Sequence, residues 1–375
     1  MTKNHKIEVL RAYSILLVII AHLPYLFPDL GVYTSYFWLG GGVDLFFCIS
    51  GYLIASSLFK SYDKKHTFIS FYFPFFIKRI YRLWPAAIFW SIVAIVCSTF
   101  FNESNYFGSV QGNITTAIAA IFQVVNFNFV ACEYFNIFEC KPNALRVYWS
   151  LSLEEQFYFI FPIILFYLGK RKSAWIALIL ILLQLFLYRP WPSPLWFFRT
   201  DAIALGVLIA YLHHIDYFSK IKFNIKLNNI SQKTIVLVIF LLLFLIAREE
   251  IIWFYNGLVV IVSGILVLLA SFNKGFILNE SFIRKILVFI GSRSYSLYLT
   301  HMLGIFFIRE IFFRYVNLSP SYTDDYLMFL IPYILIVSLF TEFSYRYIED
   351  PLRKKGRLIS KNIAMNLKKG NHNET

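Results

Sequence analysis

Three residues of one apolar stretch near the N-terminus have side chains that can do chemistry. Residues 7–27 are long enough to cross a bilayer, yet they include Glu8, Arg11 and His22. Charged groups inside a membrane are costly and usually face a protein interior or a wet cavity. Eleven residues bring a helix back to nearly the same face, so Arg11 and His22 project together, about 16 Å apart. Glu8, one turn below, is placed to hold the Arg11 guanidinium. The spacing indicates a groove for a long ligand with an anionic end at Arg11 and a reactive end at His22.

Together with these three, the ionisable residues in or beside the apolar runs fall into two layers. The outer layer comprises His22, Asp44, Glu154, Glu155, Asp201 and His301, and the inner layer comprises Glu8, Arg11, Arg79, Arg82, Arg293 and Glu342. A functional role for His22 is favoured by the carboxylates that other helices place at the same predicted depth in the membrane. His301 fits a packing role and a functional role equally, and Arg79 and Arg82 fit either charged anchors or an anion site. We expect Arg199 and Asp201 to neutralise each other. The sequence contains no zinc-type motif, phosphate loop or nucleotide fingerprint, so we expect no metal.

The composition predicts which elements must hold these residues. The chain has 375 residues, of which 59% are hydrophobic and 15% charged. This is typical of an all-α polytopic membrane protein rather than a soluble domain. Since about 20 residues span the hydrocarbon, we predict about ten transmembrane helices, the first of them retained rather than cleaved. They cover residues 7–27, 36–59, 83–101, 148–168, 174–188, 195–213, 235–247, 251–272, 286–308 and 327–347.

Lys and Arg predict the orientation. With the N-terminus inside, the cytoplasmic stretches hold 26 of these residues and the outer stretches hold 6. This asymmetry follows the positive-inside rule and predicts that both termini are cytoplasmic. The net charge of +14 therefore tracks topology, and we exclude nucleic acid as a partner. We predict a transmembrane domain over residues 1–350 and a basic, flexible cytoplasmic tail over 351–375 near anionic lipid.

Residues 102–147 are predicted to form one large outer loop. Residues 114–131 are apolar, but an eleventh span there would reverse the orientation of every later loop, so we predict a helix lying on the membrane. Cys132 and Cys140 fall in this loop, and the sequence leaves open whether they pair. Cys48 and Cys97 are expected to be packing residues. The run Gly40-Gly41-Gly42 is expected to permit a close approach or a bend.

Seven sequence blocks resemble the membrane acyltransferase family 3 proteins, in order and over nearly the whole chain. The first has an arginine and a histidine separated by ten residues, and the third has paired arginines before a proline. The blocks are IEVLRAYSILLVIIAHL, GGGVDLFFCISGYLI, RIYRLWPA, YWSLSLEEQFYFIFPIIL, RTDAIALGVLIAYL, IGSRSYSLYLTHM and YRYIEDPLRK. Val9 and Thr300 depart from the residues common in the family, a glycine and a tryptophan. We expect no appended esterase-like domain.

The resemblance implies an enzyme that transfers an acyl group, usually acetyl, from cytoplasmic acetyl-CoA or another acyl-CoA to an acceptor. Acceptors in the family include cell-surface polysaccharides, lipopolysaccharide O-antigen, peptidoglycan and smaller glycosides. Carried over by motif, His22 is the catalytic histidine, Arg11, Arg79 and Arg82 serve the acyl-CoA, and Glu154 is a site carboxylate. The expected setting is a bacterial inner membrane, with glycan-assembly proteins as further partners.

A mechanism follows from these roles. His22 acts as general base on a sugar hydroxyl, since its ordinary pKa lies near neutrality. Glu154 or Asp44 orients the imidazole, with Glu8, Glu155, Arg199, Asp201 and His301 as supporting residues. Direct transfer and a covalent acyl-enzyme on His22 or a nearby Tyr or Ser stay open. A lipid or a small glycoside as acceptor also stays open. Intramembrane charges also suit a proton-coupled transporter, although the sequence contains no inverted repeat. A sensor or assembly subunit without catalysis is a third possibility.

Overall fold

The computed structural model describes residues 4–372 apart from 35–36, 38, 64–66, 138–142, 221–228, 246–251, 273–280 and 317–325. Across these residues the protein is helical, and the only β-type contact is an isolated bridge between Gly108 and Asn143. The all-α class predicted from composition is confirmed. By contacts, the chain divides into two compact units.

The first unit comprises Met1–Lys60 and Lys170–Ser294. It contains the N-terminal helices and a central group that follows residue 170. Its helices are α1 (His5–His22), α2 (Leu30–Thr34), α3 (Gly41–Ser61), the second part of α7 (Tyr148–Leu185), α8 (Pro194–Phe197), α9 (Asp201–His214), α10 (Tyr217–Lys220), α11 (Asn229–Leu245), α12 (Tyr255–Ser271) and α13 (Phe282–Ser292).

The second unit comprises Ser61–Gly169 and Tyr295–Thr375. It contains the long helix with the paired arginines, the outer loop and the C-terminal helices. Its helices are α4 (Phe68–Phe100), α5 (Val110–Ile121), α6 (Val125–Phe129), the first part of α7, α14 (Ser294–Val316, from residue 295 onward), α15 (Tyr326–Phe343) and α16 (Asp350–His372).

Seven helices in the described part of the chain are long and apolar enough to cross a membrane, and α12 is a shorter apolar helix. One of the seven, α7, covers two of the predicted spans. It is interrupted at Gly169, whose φ of 75° and ψ of 172° are not helical. This break separates the two predicted segments 148–168 and 174–188. A glycine permits it because positive φ is costly for residues with a Cβ.

The helix boundaries differ from prediction between residues 282 and 316. The sequence predicts one span over 286–308, but the structure has α13 up to Ser292 and α14 from Ser294. The helix α13 is strongly amphipathic, with Ile283, Ile286 and Phe289 exposed. Hydropathy predicts a single span across the two helices, because the break between them contains only one charged residue, Arg293.

Glycines allow the helices of the first unit to approach closely. A Cβ built on Gly42 would lie 2.6 Å from the carbonyl oxygen of Ser14 on α1, which confirms the close approach predicted for the glycine run. A Cβ on Gly51 would lie 2.1 Å from Ile203 O, and one on Gly206 would lie 2.2 Å from Cys48 O. Since these distances exclude a side chain, the crossing of α3 and α9 requires both glycines.

The segment predicted to be an outer loop contains the short helices α5 and α6, and neither is long enough to span a membrane. Asn113, fully buried, ties the loop together: its amide donates to Phe107 O at 2.8 Å and accepts from Ala144 N at 3.0 Å. Cys132 is disulfide-bonded, and Cys140 lies outside the described residues. Cys48 and Cys97 are buried free thiols, as expected for packing residues.

The C-terminal segment differs from the flexible tail that the sequence predicts. Residues 350–372 form the helix α16, which packs on α4 of the same unit. A Cβ on Gly356 would lie 2.4 Å from Tyr81 Cβ, and the Ser360 hydroxyl donates to Pro74 O at 2.7 Å. The high density of charge in this segment concealed a helix with one buried face.

Candidate active site

His22 is the last residue of α1, where the helix gives way to a short turn containing Pro24. Its Nδ1 lies 2.7 Å from the carbonyl oxygen of Val18, one turn earlier. A carbonyl only accepts, so Nδ1 carries the proton and Nε2 is the basic nitrogen of the neutral ring. The ring also stacks on Tyr25 with centroids 6.0 Å apart. The local backbone thus holds the imidazole in the tautomer that a general base at Nε2 needs.

Arg11 and Glu8 form the ion pair that their spacing predicts. The Arg11 Nη1 and Glu8 Oε2 atoms are 3.5 Å apart, and both side chains are mostly buried. The opposing helix α13 approaches this turn closely, because a Cβ on Gly291 would lie 1.9 Å from Glu8 O. Arg11 and His22 lie on one continuous helix, as the groove on α1 requires.

A buried cluster of four charges occupies the first unit, and its pairing corrects one prediction. Arg199 and Asp201 interact electrostatically, but each forms its ion pair with another residue. Asp201 accepts two hydrogen bonds from Arg189, at 2.9 and 2.7 Å, while Arg199 Nε lies 3.4 Å from Asp44 Oδ1. All four side chains are 0–1% exposed. The guanidinium of Arg199 also lies 4.2 Å from the Trp196 ring centroid.

The helix crossing explains the Asp44–Arg199 pair. Asp44 lies on α3 seven residues before Gly51, and Arg199 lies just before α9, seven residues before Gly206. Since the two side chains pair, both charges lie on the same side of the crossing of α3 and α9. The pairing also bears on the catalytic role predicted for Asp44. A carboxylate held by a buried arginine fits a structural role better than contact with His22.

In the second unit, the paired arginines of α4 meet the glutamates of α7. Arg79 lies with its guanidinium carbon 5.0 Å from the centroid of the Tyr158 ring. The Tyr158 hydroxyl donates a short hydrogen bond to Glu154 Oε1. Glu155 is 5% exposed and interacts electrostatically with Glu154, Arg79 and Arg82. The two arginines therefore belong to a mixed cluster with two carboxylates rather than a purely cationic site.

His301 is fully buried on α14 in the same unit. Its Nδ1 lies 2.7 Å from Tyr298 O, so this nitrogen is the proton donor. The Tyr298 hydroxyl lies 2.6 Å from Ser150 Oγ and 2.9 Å from Val147 O. This network connects α14 with the start of α7, so the contacts favour the packing role for His301.

Polar contacts also fix the outer loop. Glu310, fully buried on α14, accepts from the backbone nitrogens of Glu103 and Ser104 at 2.7 and 3.0 Å, and from Arg314 at 2.6 Å. Farther along the loop, Glu133 pairs with Arg146. Burial raises the pKa of the Glu133 carboxyl, and Arg146 opposes that shift.

The predicted site residues are divided between the two units. The first unit contains Glu8, Arg11, His22, Asp44, Arg199 and Asp201, and the second contains Arg79, Arg82, Glu154, Glu155 and His301. Two participants were not predicted. Tyr158 lies four residues after Glu154, a spacing that does predict contact on a helix. Nothing comparable in the sequence indicated a role for Arg189, because this residue lies between two predicted spans, twelve residues before Asp201.

The apolar helices and their buried charged clusters define a polytopic membrane protein with groups suited to acyl transfer. Comparison with known families identifies this class: the acyltransferase 3 model, described as an acyltransferase domain, matches residues 4–345. The chain therefore belongs to the acyltransferase 3 family, which confirms the family resemblance.

Curated relatives come from Staphylococcus aureus. A protein of strain COL named as a candidate O-acetyltransferase, SACOL0978, is 34% identical over 384 residues. The O-acetyltransferase OatA of strain NCTC 8325 / PS 47 is 30% identical over 375 residues. Each alignment covers 93% of this chain and 57% of the relative, so the chain spans little more than half of their length. No solved structure matches.

Proposed function

We propose that the protein is an integral-membrane O-acetyltransferase. It would move an acetyl group from cytoplasmic acetyl-CoA to a hydroxyl of an extracytoplasmic glycan, such as lipopolysaccharide O-antigen, capsule or exopolysaccharide. The observation that carries the proposal is the hydrogen bond from His22 Nδ1 to Val18 O, which leaves Nε2 as a base on the helix that also bears Arg11. Family membership and the names of the relatives support the class of reaction.

The setting is part of the proposal. Ten spans with both termini in the cytoplasm would place the inner arginines at the cytoplasmic side of a bacterial inner membrane, where acyl-CoA is made. The outer layer would then face the glycan. The 26-to-6 distribution of Lys and Arg supports this orientation.

The chemical step needs His22 alone to carry the proton from the acceptor hydroxyl to the leaving thiolate. His22 Nε2 takes the proton of the acceptor hydroxyl while the hydroxyl oxygen forms a bond to the thioester carbon. The C–S bond then breaks, and the leaving thiolate takes the proton from the imidazolium to give free coenzyme A. Arg11, Arg79 and Arg82 are proposed to bind the phosphates, since guanidinium groups match phosphate oxygens.

The carboxylate that stabilises the imidazolium is proposed to be Glu154. Its competitor Asp44 already pairs with the buried Arg199, so we keep the carboxylate that the family motif implies. An ionised carboxylate beside the imidazole would stabilise the cation that forms during the reaction.

The test uses purified protein in detergent with acetyl-CoA and a glycan acceptor, following release of the coenzyme A thiol. We expect acetyl-CoA turnover, and the Arg79→Gln/Arg82→Gln variant should raise the donor KM roughly 10- to 100-fold, because charged hydrogen bonds to phosphate are lost. Arg171→Gln/Lys172→Gln, which removes two cations elsewhere, is the matched control. A protein that releases no coenzyme A but, once reconstituted into sealed vesicles, takes up solute along a proton gradient would contradict the proposal and support a transporter. If only a lipid or a small glycoside is acetylated, the proposed glycan acceptor is wrong.

A further inference from the structure

The helix α16 cannot lie wholly within the hydrocarbon. The continuous helical run Tyr326–Leu367 has 42 residues, about 63 Å at 1.5 Å per residue, whereas the hydrocarbon is about 30 Å thick. The second part of this run, α16, carries most of the charge. Between Asp350 and His372 the sequence has seven Lys and Arg residues and one acid, Asp350. This part must therefore leave the apolar layer.

One face of α16 is covered by α4, which runs antiparallel to it. Gly356 meets the helix at Tyr81 and Ser360 meets it at Pro74, so the contact advances toward the start of α4. Packing of this face against α4 explains why the segment is helical. The packing does not explain the side chains on the opposite face.

That opposite face combines apolar and cationic side chains in one arrangement. Leu358 and Met365, seven residues apart and thus on one stripe, are 65% and 46% exposed. Lys354 and Lys361 flank the stripe on one side and Lys355 on the other, and all three are exposed. Apolar side chains bordered by lysines are typical of a helix that lies in the membrane interface.

The charge around this face is not balanced within α16. Asp350 pairs with Arg353 and with Lys354 and so neutralises at most one cation. Arg357 lies near enough to Lys78 of α4 for the two cations to interact unfavourably. An anionic surface would relieve that repulsion.

Neighbouring residues of α4 extend the same apolar character. Ile69 is 61% exposed and Phe73 is 42% exposed, on the turns toward which α16 runs. Phe68, Tyr72 and Phe76 form a stacked aromatic row there. Aromatic rows of this kind are enriched where a membrane meets water.

We propose that the face of α16 formed by Leu358, Met365, Lys354, Lys355 and Lys361 binds the surface of an anionic phospholipid bilayer. The two apolar side chains enter the headgroup boundary, and the lysines contact lipid phosphates. Because the partner is the lipid surface, the inference is independent of the acyl acceptor.

The test places the full chain in lipid nanodiscs. A Leu358→Cys variant is labelled with an environment-sensitive fluorophore, because the native thiols Cys48 and Cys97 are buried and Cys132 is disulfide-bonded. Quenching by a lipid with a nitroxide near its headgroup is compared in phosphatidylcholine discs with and without phosphatidylglycerol. We expect stronger quenching with phosphatidylglycerol, together with a blue shift of the emission.

A charge variant tests the cause. Lys354→Gln/Lys355→Gln/Lys361→Gln should weaken partitioning by roughly fivefold per cation, bringing the quenching down to the phosphatidylcholine level. Lys170→Gln/Arg171→Gln/Lys172→Gln, with the same loss of charge elsewhere, should not. Equal quenching in both lipids, or no effect of the lysine variant, would overturn anionic recognition. A solvent-exposed label in both lipids would show that the face does not meet the bilayer.

Discussion

At the scale of single residues, backbone and neutral groups hold the proposed catalytic side chains. Val18 O fixes the tautomer of His22, and the Tyr158 hydroxyl holds Glu154 while its ring faces Arg79. Tyr158 therefore contacts a carboxylate and a guanidinium with different parts of one side chain, and substitutions can separate the two contacts.

Tyr158→Phe and Tyr158→Leu form such a matched pair. The Phe variant removes the hydroxyl that donates to Glu154 and keeps the ring, so we expect kcat to fall about tenfold while the donor KM changes little. The Leu variant also loses the ring beneath Arg79, so the donor KM should rise as well, by roughly 2- to 30-fold. Steady-state kinetics with acetyl-CoA measures both. The separation of roles is wrong if the two variants share one kinetic profile.

Asp44 offers a test between structure and catalysis. Asp44→Leu leaves Arg199 buried without its partner, which should destabilise the protein by about 3–5 kcal/mol and lower activity. The double variant Asp44→Leu/Arg199→Met removes both charges, so it should recover thermal stability and most of the activity. Recovery of stability without any activity would instead show that the Asp44 carboxylate or the Arg199 guanidinium takes part in the reaction.

Local spacing predicted some of these contacts and missed others for a physical reason. The Glu8–Arg11 pair follows from their separation of one turn, and the role of the glycine run follows from the small size of glycine. The Arg189–Asp201 pair requires the chain to turn back between two helices, which no periodicity encodes. The tautomer of His22 depends on where α1 ends, and sequence patterns predict helix ends least well.

At the scale of secondary structure elements, close helix crossings position the charges. The crossing of α3 and α9 lies near the Asp44–Arg199 ion pair in sequence, and it depends on Gly51 and Gly206. The helices themselves were predictable from apolar runs. The helix α16 was not, because its buried face appears only once α4 is present to cover it.

Gly51→Ala tests this dependence. The added methyl would lie 2.1 Å from Ile203 O, so α3 and α9 must separate. We expect a loss of about 1–3 kcal/mol, seen as a lower Tm in a thermal-stability assay of the purified protein. Gly31→Ala is the control, because nothing lies within 4 Å of a Cβ there. Equal Tm values for the two variants would contradict the proposed tight crossing.

At the scale of the whole molecule, the asymmetry of Lys and Arg is the strongest topological signal. The proposed ten-span arrangement requires both ends of the chain on one side of the membrane. The break of α7 at Gly169 accommodates two of those spans within one helical run.

Reporter fusions measure this directly. A green fluorescent protein fused at either terminus should fluoresce, and alkaline phosphatase fused at the same places should be inactive, because both termini are predicted to be cytoplasmic. Phosphatase fused within the outer loop, after Asn105, should be active. An active phosphatase at one terminus only would require an odd number of spans and a revised layer assignment.

The most direct test of the central claim follows labelled acetyl groups into glycan. Membranes containing wild type or His22→Asn receive acetyl-CoA labelled in the acetyl group. The Asn amide can still donate to Val18 O, but it lacks the base at Nε2, so we expect wild-type labelling and a loss of roughly 100- to 10,000-fold in the variant at equal expression. If the variant labels glycan as well as wild type does, His22 is not the base, and the assignment of this site is wrong.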